Sequence, residues 1–283
     1  MKILVLVKQV PETDSLAIDP ETGTVVRSEA TSIVNPLDLY ALEAALAIKD
    51  TRAEARITAL SMGPPAAAVA LKEAVAMGCD DAVLVTGREF AGADTWATAR
   101  TLAAAIRRLG PFDLVFCGEK ATDGDTGQVG PEVAAFLDLP VVTYAGAVEL
   151  RDGPGGLVVR AERVSEDCGQ IVECAAPLVL SFCKAVGEPR LPLLAGKKRA
   201  HDLAPRLLGL AELGLPAEEA GSRGSPTRVV RIASPRLTRE TESLDARSEE
   251  GAEAACRRIV ELLAEKGLVV PKDGAGREGR VKP

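Results

Sequence analysis

The stretch Gly118-Glu119-Lys120-Ala121-Thr122-Asp123-Gly124-Asp125-Thr126-Gly127-Gln128-Val129-Gly130 concentrates the residue types that handling of a charged ligand requires. Gly124, Gly127 and Gly130 let a backbone turn tightly and approach a ligand closely. Thr126 offers a hydroxyl and Gln128 an amide. A helix predicted from about Gln128 to Leu137 adds free N–H groups at its positive end. That combination suits a phosphate. It is neither the G-x-G-x-x-G fingerprint nor a P-loop ending in Gly-Lys-Ser/Thr. The plainer reading is that Asp123 and Asp125 cap a helix while the glycines make a turn. On the residues alone both readings stand. Two carboxylates beside a phosphate are unfavourable unless they point away or pair with Lys120.

Other chemistries are poorly supplied. The six cysteines (Cys79, Cys117, Cys168, Cys174, Cys183 and Cys256) form no C-x-x-C pair and mostly lie in apolar stretches. They read as reduced core residues, so neither a disulfide frame nor a metal site is expected. The one histidine, His201, sits in the basic stretch GKKRAHDL and reads as a surface residue. Without a second histidine or a motif around it, no hydrolytic triad and no catalytic residue is assigned. Aromatics are 3% of the 283 residues and the net charge is −7, which argues against a nucleic-acid partner. The opening MKILVLVKQVPETD is not a signal peptide, and no apolar run approaches the roughly 20 residues that span a bilayer. A cytoplasmic protein is expected.

The elements that must position this loop follow from periodicity. KILVLV (2–7), RITALSM (56–62), AVLVT (82–86), DLVFCG (113–118) and LVLSFC (178–183) read as buried strands. Between them, Asn35-Pro36 opens a helix through DLYALEAALAIKD, with Asn35 as its N-cap. Further helices follow Gly63-Pro64-Pro65 and cover 93–110. Strands alternating with helices imply an α/β fold: a mostly parallel sheet with helices on both faces. VVTYAGAVELR, a DGPGG turn and LVVRAERV read as a β-hairpin. After Gly187 the chain is rich in Pro, Gly, Arg and Lys, with one short strand (TRVVRI, 227–232) and one helix (250–266). Residues 1–190 are thus expected as an α/β nucleotide-binding domain, and 191–283 as a docking loop and C-terminal arm. In such a sheet the loops after the strands bind ligands. Those loops are Val7–Pro11, Ser61–Pro65 and Gly118–Gly130.

The chain resembles the β subunit of electron transfer flavoproteins. The matches run in order: VKQVPET, Ile18–Gly23, Asn35–Ala45, Met62-Gly63-Pro64, Ala76–Asp80, Gly92–Thr95, Asp123–Gly130, Glu188-Pro189-Arg190 and Gly224–Thr227, over roughly residues 1–230. The resemblance implies a Rossmann-like fold and a heterodimer with an α subunit that carries FAD. It implies that the β chain is a redox carrier subunit, not an enzyme by itself, and binds an adenine nucleotide. In one branch of the family that is AMP, a structural ligand. In the electron-bifurcating branch it is a second FAD, which takes two electrons from NADH and passes them singly along two paths. Family nucleotide contacts fall on Leu6, Lys8, Asn35, Met62, Asp123, Gly124, Thr126, Gly127, Gln128 and Val129. Glu188, Pro189, Arg190 and Leu194 lie where the family docks acyl-CoA dehydrogenases, with Leu194 in the place of the apolar anchor. Val10–Thr13 and Leu37 fall where β meets the flavin side of α. The electron acceptor would be a quinone oxidoreductase or ferredoxin. Glu119-Lys120 and Thr122 depart from the common family pattern.

The details of 123–130 resemble the bifurcating branch more than the AMP branch, and Gly124 and Gly127 would admit a pyrophosphate, so FAD is favoured over AMP. A non-redox nucleotide-binding α/β protein is the further alternative. It would place basic residues around a triphosphate, where this chain has Asp123 and Asp125.

Overall fold

Alternation along the strands decides which helices cover which face of the sheet. The first strand, β1 (Lys2–Leu6), sends Ile3 and Val5 to one face and Leu4 and Leu6 to the other, and all four are buried. A strand buried on both sides needs helices on both sides. A computed structural model of the chain describes residues 1–12, 32–165, 168–230 and 241–269. It divides into two compact units, Met1–Ile232 and Ala233–Pro283.

The first unit is built on a nine-stranded sheet. After β1, a two-stranded antiparallel ribbon pairs β2 (Gln9–Pro11) with β3 (Ser32–Val34). Then come α1 (Asp38–Thr51), β4 (Arg56–Met62), α2 (Ala68–Met77), β5 (Asp81–Val85), α3 (Thr95–Leu109), β6 (Leu114–Gly118) and α4 (Val129–Leu137). The chain continues through β7 (Val141–Gly153), β8 (Gly156–Val164), β9 (Gly169–Ala175), β10 (Leu178–Phe182), α5 (Leu194–His201), β11 (Arg206–Leu208) and α6 (Leu210–Leu213). Strand order is β11-β5-β4-β1-β6-β10-β7-β8-β9. The pairs from β11 to β7 are parallel, and β7-β8-β9 is an antiparallel meander. Leu42 and Leu46 of α1 and Leu71 and Val75 of α2 pack on the Ile3–Val5 face; Ala99 and Leu102 of α3 and Val133 of α4 pack on the Leu4–Leu6 face. This is the expected Rossmann-like α/β architecture.

Several sequence expectations are corrected. The hairpin gains a third strand, β9. TRVVRI is irregular over 227–230, its last two residues lying outside the described ones. Asn35 does not cap α1: Leu37 is the residue before the helix and makes no side-chain cap bond. Only Cys79, Cys117 and Cys183 are buried, Cys168 and Cys256 being exposed. Ile18–Gly23, Thr13 and the last dozen residues also lie outside the described residues.

The second unit contains α7 (Glu249–Glu265), capped by Ser248, whose hydroxyl accepts from the Gly251 N–H. Arg258 on this helix pairs with Glu242 and Glu265. No helix among the described residues is long and apolar enough to cross a membrane.

Candidate functional site

The chain leaves β1 toward β4 and β5 on one side, and returns on the other side of β1 to make β6. The crossovers through α1 and α2 cover one face and those through α3 and α4 cover the other. The carboxyl ends of β1 and β6 therefore part at a topological switch point, where a crevice forms in open α/β sheets. Lys8 leaves the end of β1, Met62 ends β4, and the glycine loop 119–128 leaves the end of β6.

The loop is fastened to β1 by charge. Lys8 Nζ lies 2.6 and 2.8 Å from the two carboxylate oxygens of Asp123. Lys120 Nζ lies 2.6 Å from Asp125 Oδ1. Each of the two carboxylates that would oppose a phosphate is thus paired with a lysine, and neither caps the helix. The plainer capping reading of Asp123 and Asp125 therefore fails on geometry.

The three glycines do different work. Gly127 has φ +65°, a left-handed conformation that favours glycine, next to Asp125 at φ 53°. Gly130 lies in the first turn of α4, and a Cβ there would sit 2.7 Å from Cys117 Sγ, so it permits close packing of helix on strand. At Gly124 a Cβ would meet nothing within 4 Å, so this position opens onto free space. Among the described residues, no acceptor takes the backbone N–H groups of Thr126–Gly130. Those groups, the start of α4 and the Lys8 ammonium supply what an anion requires.

Asn35 is buried and works on the loop. Its amide donates to the Lys120 carbonyl at 2.9 Å and to Asp38 Oδ1 at 2.8 Å, and its oxygen accepts from the Thr122 N–H at 3.2 Å. Leu6 is buried in the core on the α3/α4 face, and Met62 packs beside that core. Gln128 accepts from the Thr95 hydroxyl at 3.3 Å, which also donates to Glu132 at 3.1 Å. Burial pushes the Glu132 carboxyl above its ordinary value, and its Oε2 is buried without a partner. Thr126 and Val129 stand on the loop and at the start of α4.

The segment 188–194 is fastened elsewhere, to α1. The Arg190 guanidinium bonds both carboxylate oxygens of Glu43 and both of Asp50, and its backbone N–H donates to Glu43 at 2.9 Å. Glu188 and Leu194 are exposed beyond this anchor, with Leu191 and Leu193. Asp38 bonds Lys8 and Asn35, and Thr95 links Gln128 with Glu132; none of the three is singled out by the sequence. Asp38 carried a signal, being a carboxylate on the apolar stripe that includes Ala41, Leu42 and Ala45.

Residues 22–206 match the family described as the electron transfer flavoprotein domain. The chain is 42% identical over 270 residues to an electron transfer flavoprotein subunit beta of Thermoanaerobacterium thermosaccharolyticum, covering 95% of this chain and 100% of that protein. It is 42% identical over 235 residues to the caffeyl-CoA reductase-Etf complex subunit CarD of Acetobacterium woodii (83% and 88% covered). Over 244 residues it is 39% identical to the acryloyl-CoA reductase electron transfer subunit gamma of Anaerotignum propionicum (83% and 89%). With a topological switch point at β1 and this similarity along nearly its whole length, the chain belongs to the electron transfer flavoprotein β-subunit family, whose members carry electrons and are not enzymes on their own.

Proposed function

We propose that this chain pairs with an FAD-bearing α subunit and binds an adenine nucleotide of its own in the crevice between β1 and β6. The observation that carries the reading is the loop 119–128: free N–H groups, a positive-φ glycine and two lysine-paired aspartates at the switch point. Open space at Gly124 supports a pyrophosphate beside the loop and hence FAD over AMP. When bound, a flavin supplies the exchange between two-electron and one-electron transfer; the chain's part is to place and orient it. Lys8 sets the local charge, Asn35 fixes the loop, and α4 directs its N–H groups at the ligand. The electron donor is proposed to be NADH, and the partner a flavin dehydrogenase acting on acyl-CoA thioesters; two relatives are named as subunits that serve a caffeyl-CoA reductase and an acryloyl-CoA reductase. The acceptor is proposed to be ferredoxin or a quinone oxidoreductase. Glu188, Pro189 and Leu194 are proposed to meet the dehydrogenase, with Arg190 anchoring their segment. Residues 191–283 are proposed to act as docking loop and arm, and the dimer to work in the cytoplasm.

The test is the visible spectrum of the co-purified heterodimer before and after NADH. A yellow dimer bleached by NADH is expected. A yellow dimer that NADH leaves unchanged would favour the AMP-binding structural subunit, and a colourless one the non-redox nucleotide binder.

A further inference from the structure

A carboxylate lies behind the crevice, out of reach of solvent. Asp38 is 7% exposed, at the start of α1. The Lys8 N–H donates to its Oδ2 at 2.7 Å and the Asn35 amide to its Oδ1 at 2.8 Å. These donors come from the end of β1 and from the turn before α1, and Gly118 at the end of β6 packs against the carboxylate. A Cβ at Gly118 would lie 2.5 Å from Asp38 Oδ1 and 2.7 Å from the Leu37 backbone, so only glycine admits the carboxylate there. Through Asn35, the same carboxylate is tied to the Lys120 carbonyl and the Thr122 N–H of the glycine loop.

We infer that Asp38 is the positioning residue of the crevice, locking the end of β1 and the glycine loop into one body without touching the ligand. The inference rests on the nucleotide-site reading above. Its chemistry follows from the donor set. A carboxylate accepts only, and every hydrogen-bonding neighbour here is a donor. A proton on the carboxyl therefore forfeits one of the bonds that hold the two strand ends together. Burial pushes this carboxyl up to about 7, against the lowering by Asn35, Lys8 and Gly118. The charged and titratable groups around it are few. The Lys8 ammonium is turned to Asp123 and the Lys120 ammonium to Asp125. The Cys117 thiol of β6 is pushed up by burial and by the Asp38 charge, and stays protonated. His201 on α5 is exposed, bonded to Asp202, and not among the groups that act on Asp38.

The test uses the full chain co-purified with its α partner and depleted of the β-site nucleotide. Labelled FAD and labelled AMP are the probes, in equilibrium dialysis from about pH 5.5 to about pH 8.5. Wild type is expected to bind about ten-fold more weakly at the acid end, with an inflection near neutrality that His201→Gln does not move. Asp38→Asn keeps the shape but turns an NH₂ toward a donor. It is expected to bind weakly at every pH, with a flat profile and a single cooperative melt. An Asp38→Asn protein that melts lower but keeps the wild-type inflection would overturn the inference, leaving Asp38 a packing residue. Should that variant not fold, the wild-type FAD profile decides, since FAD carries no phosphomonoester that titrates in this range: a flat profile, or an inflection that Glu132→Gln removes, overturns the inference, and an inflection that Glu132→Gln leaves in place supports it. Uptake of neither probe by wild type at any pH overturns the nucleotide reading, and the inference with it.

Discussion

Lys8 and Asp123, 115 residues apart in the chain, form a two-pronged ion pair at 2.6 and 2.8 Å that closes the end of β1 onto the loop after β6. Both side chains are partly exposed, at 46% and 30%. Exposed pairs contribute about 0–1 kcal/mol to stability. Lys8→Ala is therefore expected to leave the melting temperature nearly unchanged. It is expected to weaken nucleotide retention by about ten-fold and to change its salt dependence, because it leaves the Asp123 carboxylate unpaired beside the proposed phosphate site. Titration of labelled nucleotide at two ionic strengths checks both.

Two glycines of one loop are expected to respond oppositely to the same methyl group. Gly127→Ala places a side chain at φ +65°, which costs about 1–2 kcal/mol and lowers the melting temperature with or without ligand. Gly124→Ala meets nothing within 4 Å and is expected to change stability of the nucleotide-free chain by less than about 0.5 kcal/mol. On the proposed reading, in which the nucleotide fills that space, its effect is confined to nucleotide binding. Thermal melts with and without nucleotide separate the two.

Arg190 serves as an internal anchor. Arg190→Ala leaves Glu43, whose side chain is 15% exposed, without its cation, and is expected to destabilise the chain by about 1–3 kcal/mol. The pH dependence has a definite sign. For Glu43 burial acts upward, but the Arg190 hydrogen bonds outweigh it and hold the carboxyl below its ordinary 4.5. Hydrogen bonds from Arg190 hold the exposed Asp50 below 3.8. A lowered folded-state value gives stability that is present above the ordinary values and lost as pH falls through the lowered ones. Denaturant titrations below about pH 4.5 should show the wild type losing more stability than Arg190→Ala.

Asp38 acts in the opposite sense and in another window. Its carboxyl is raised from 3.8 to about 7, so between those values the folded chain holds a proton that the unfolded chain has released. Its contribution to folding stability falls as pH rises through that window, by about 1.4 kcal/mol per unit at most. Nucleotide retention moves the other way, since the ionised form holds the loop. Parallel curves for stability and retention between pH 4 and 8 are therefore expected to have opposite slopes at this residue.

How much of this was legible in the sequence depends on where each element finds its partners. The sequence marks β4 at its observed limits and β1, β5, β6 and β10 within a residue or so, because strands buried on both faces show as largely apolar runs. The glycine loop was equally visible, its Gly and Thr positions being local signals. α5 is not legible in the sequence: it is rich in Lys and Arg, and is held to the end of α2 by Arg199, which donates to the Val75 and Cys79 carbonyls. β11 is only three residues long and exists by pairing with β5. Asn35 and Pro36 looked like a helix start, but tertiary demand from Lys120 and Thr122 took the Asn35 side chain. Asp38 is not legible in the sequence, because a carboxylate on an apolar stripe shows its burial only once Lys8 and Gly118 are brought beside it.

Counting the nucleotides released by the heterodimer tests the central claim most directly. The chain is co-expressed with its α subunit, the purified dimer is denatured, and the supernatant is separated by chromatography. Two FAD per dimer is the expected result, one from each subunit. One FAD with one AMP would keep the crevice but make its nucleotide structural. A single FAD and no other adenine nucleotide would contradict the assignment of the crevice between β1 and β6.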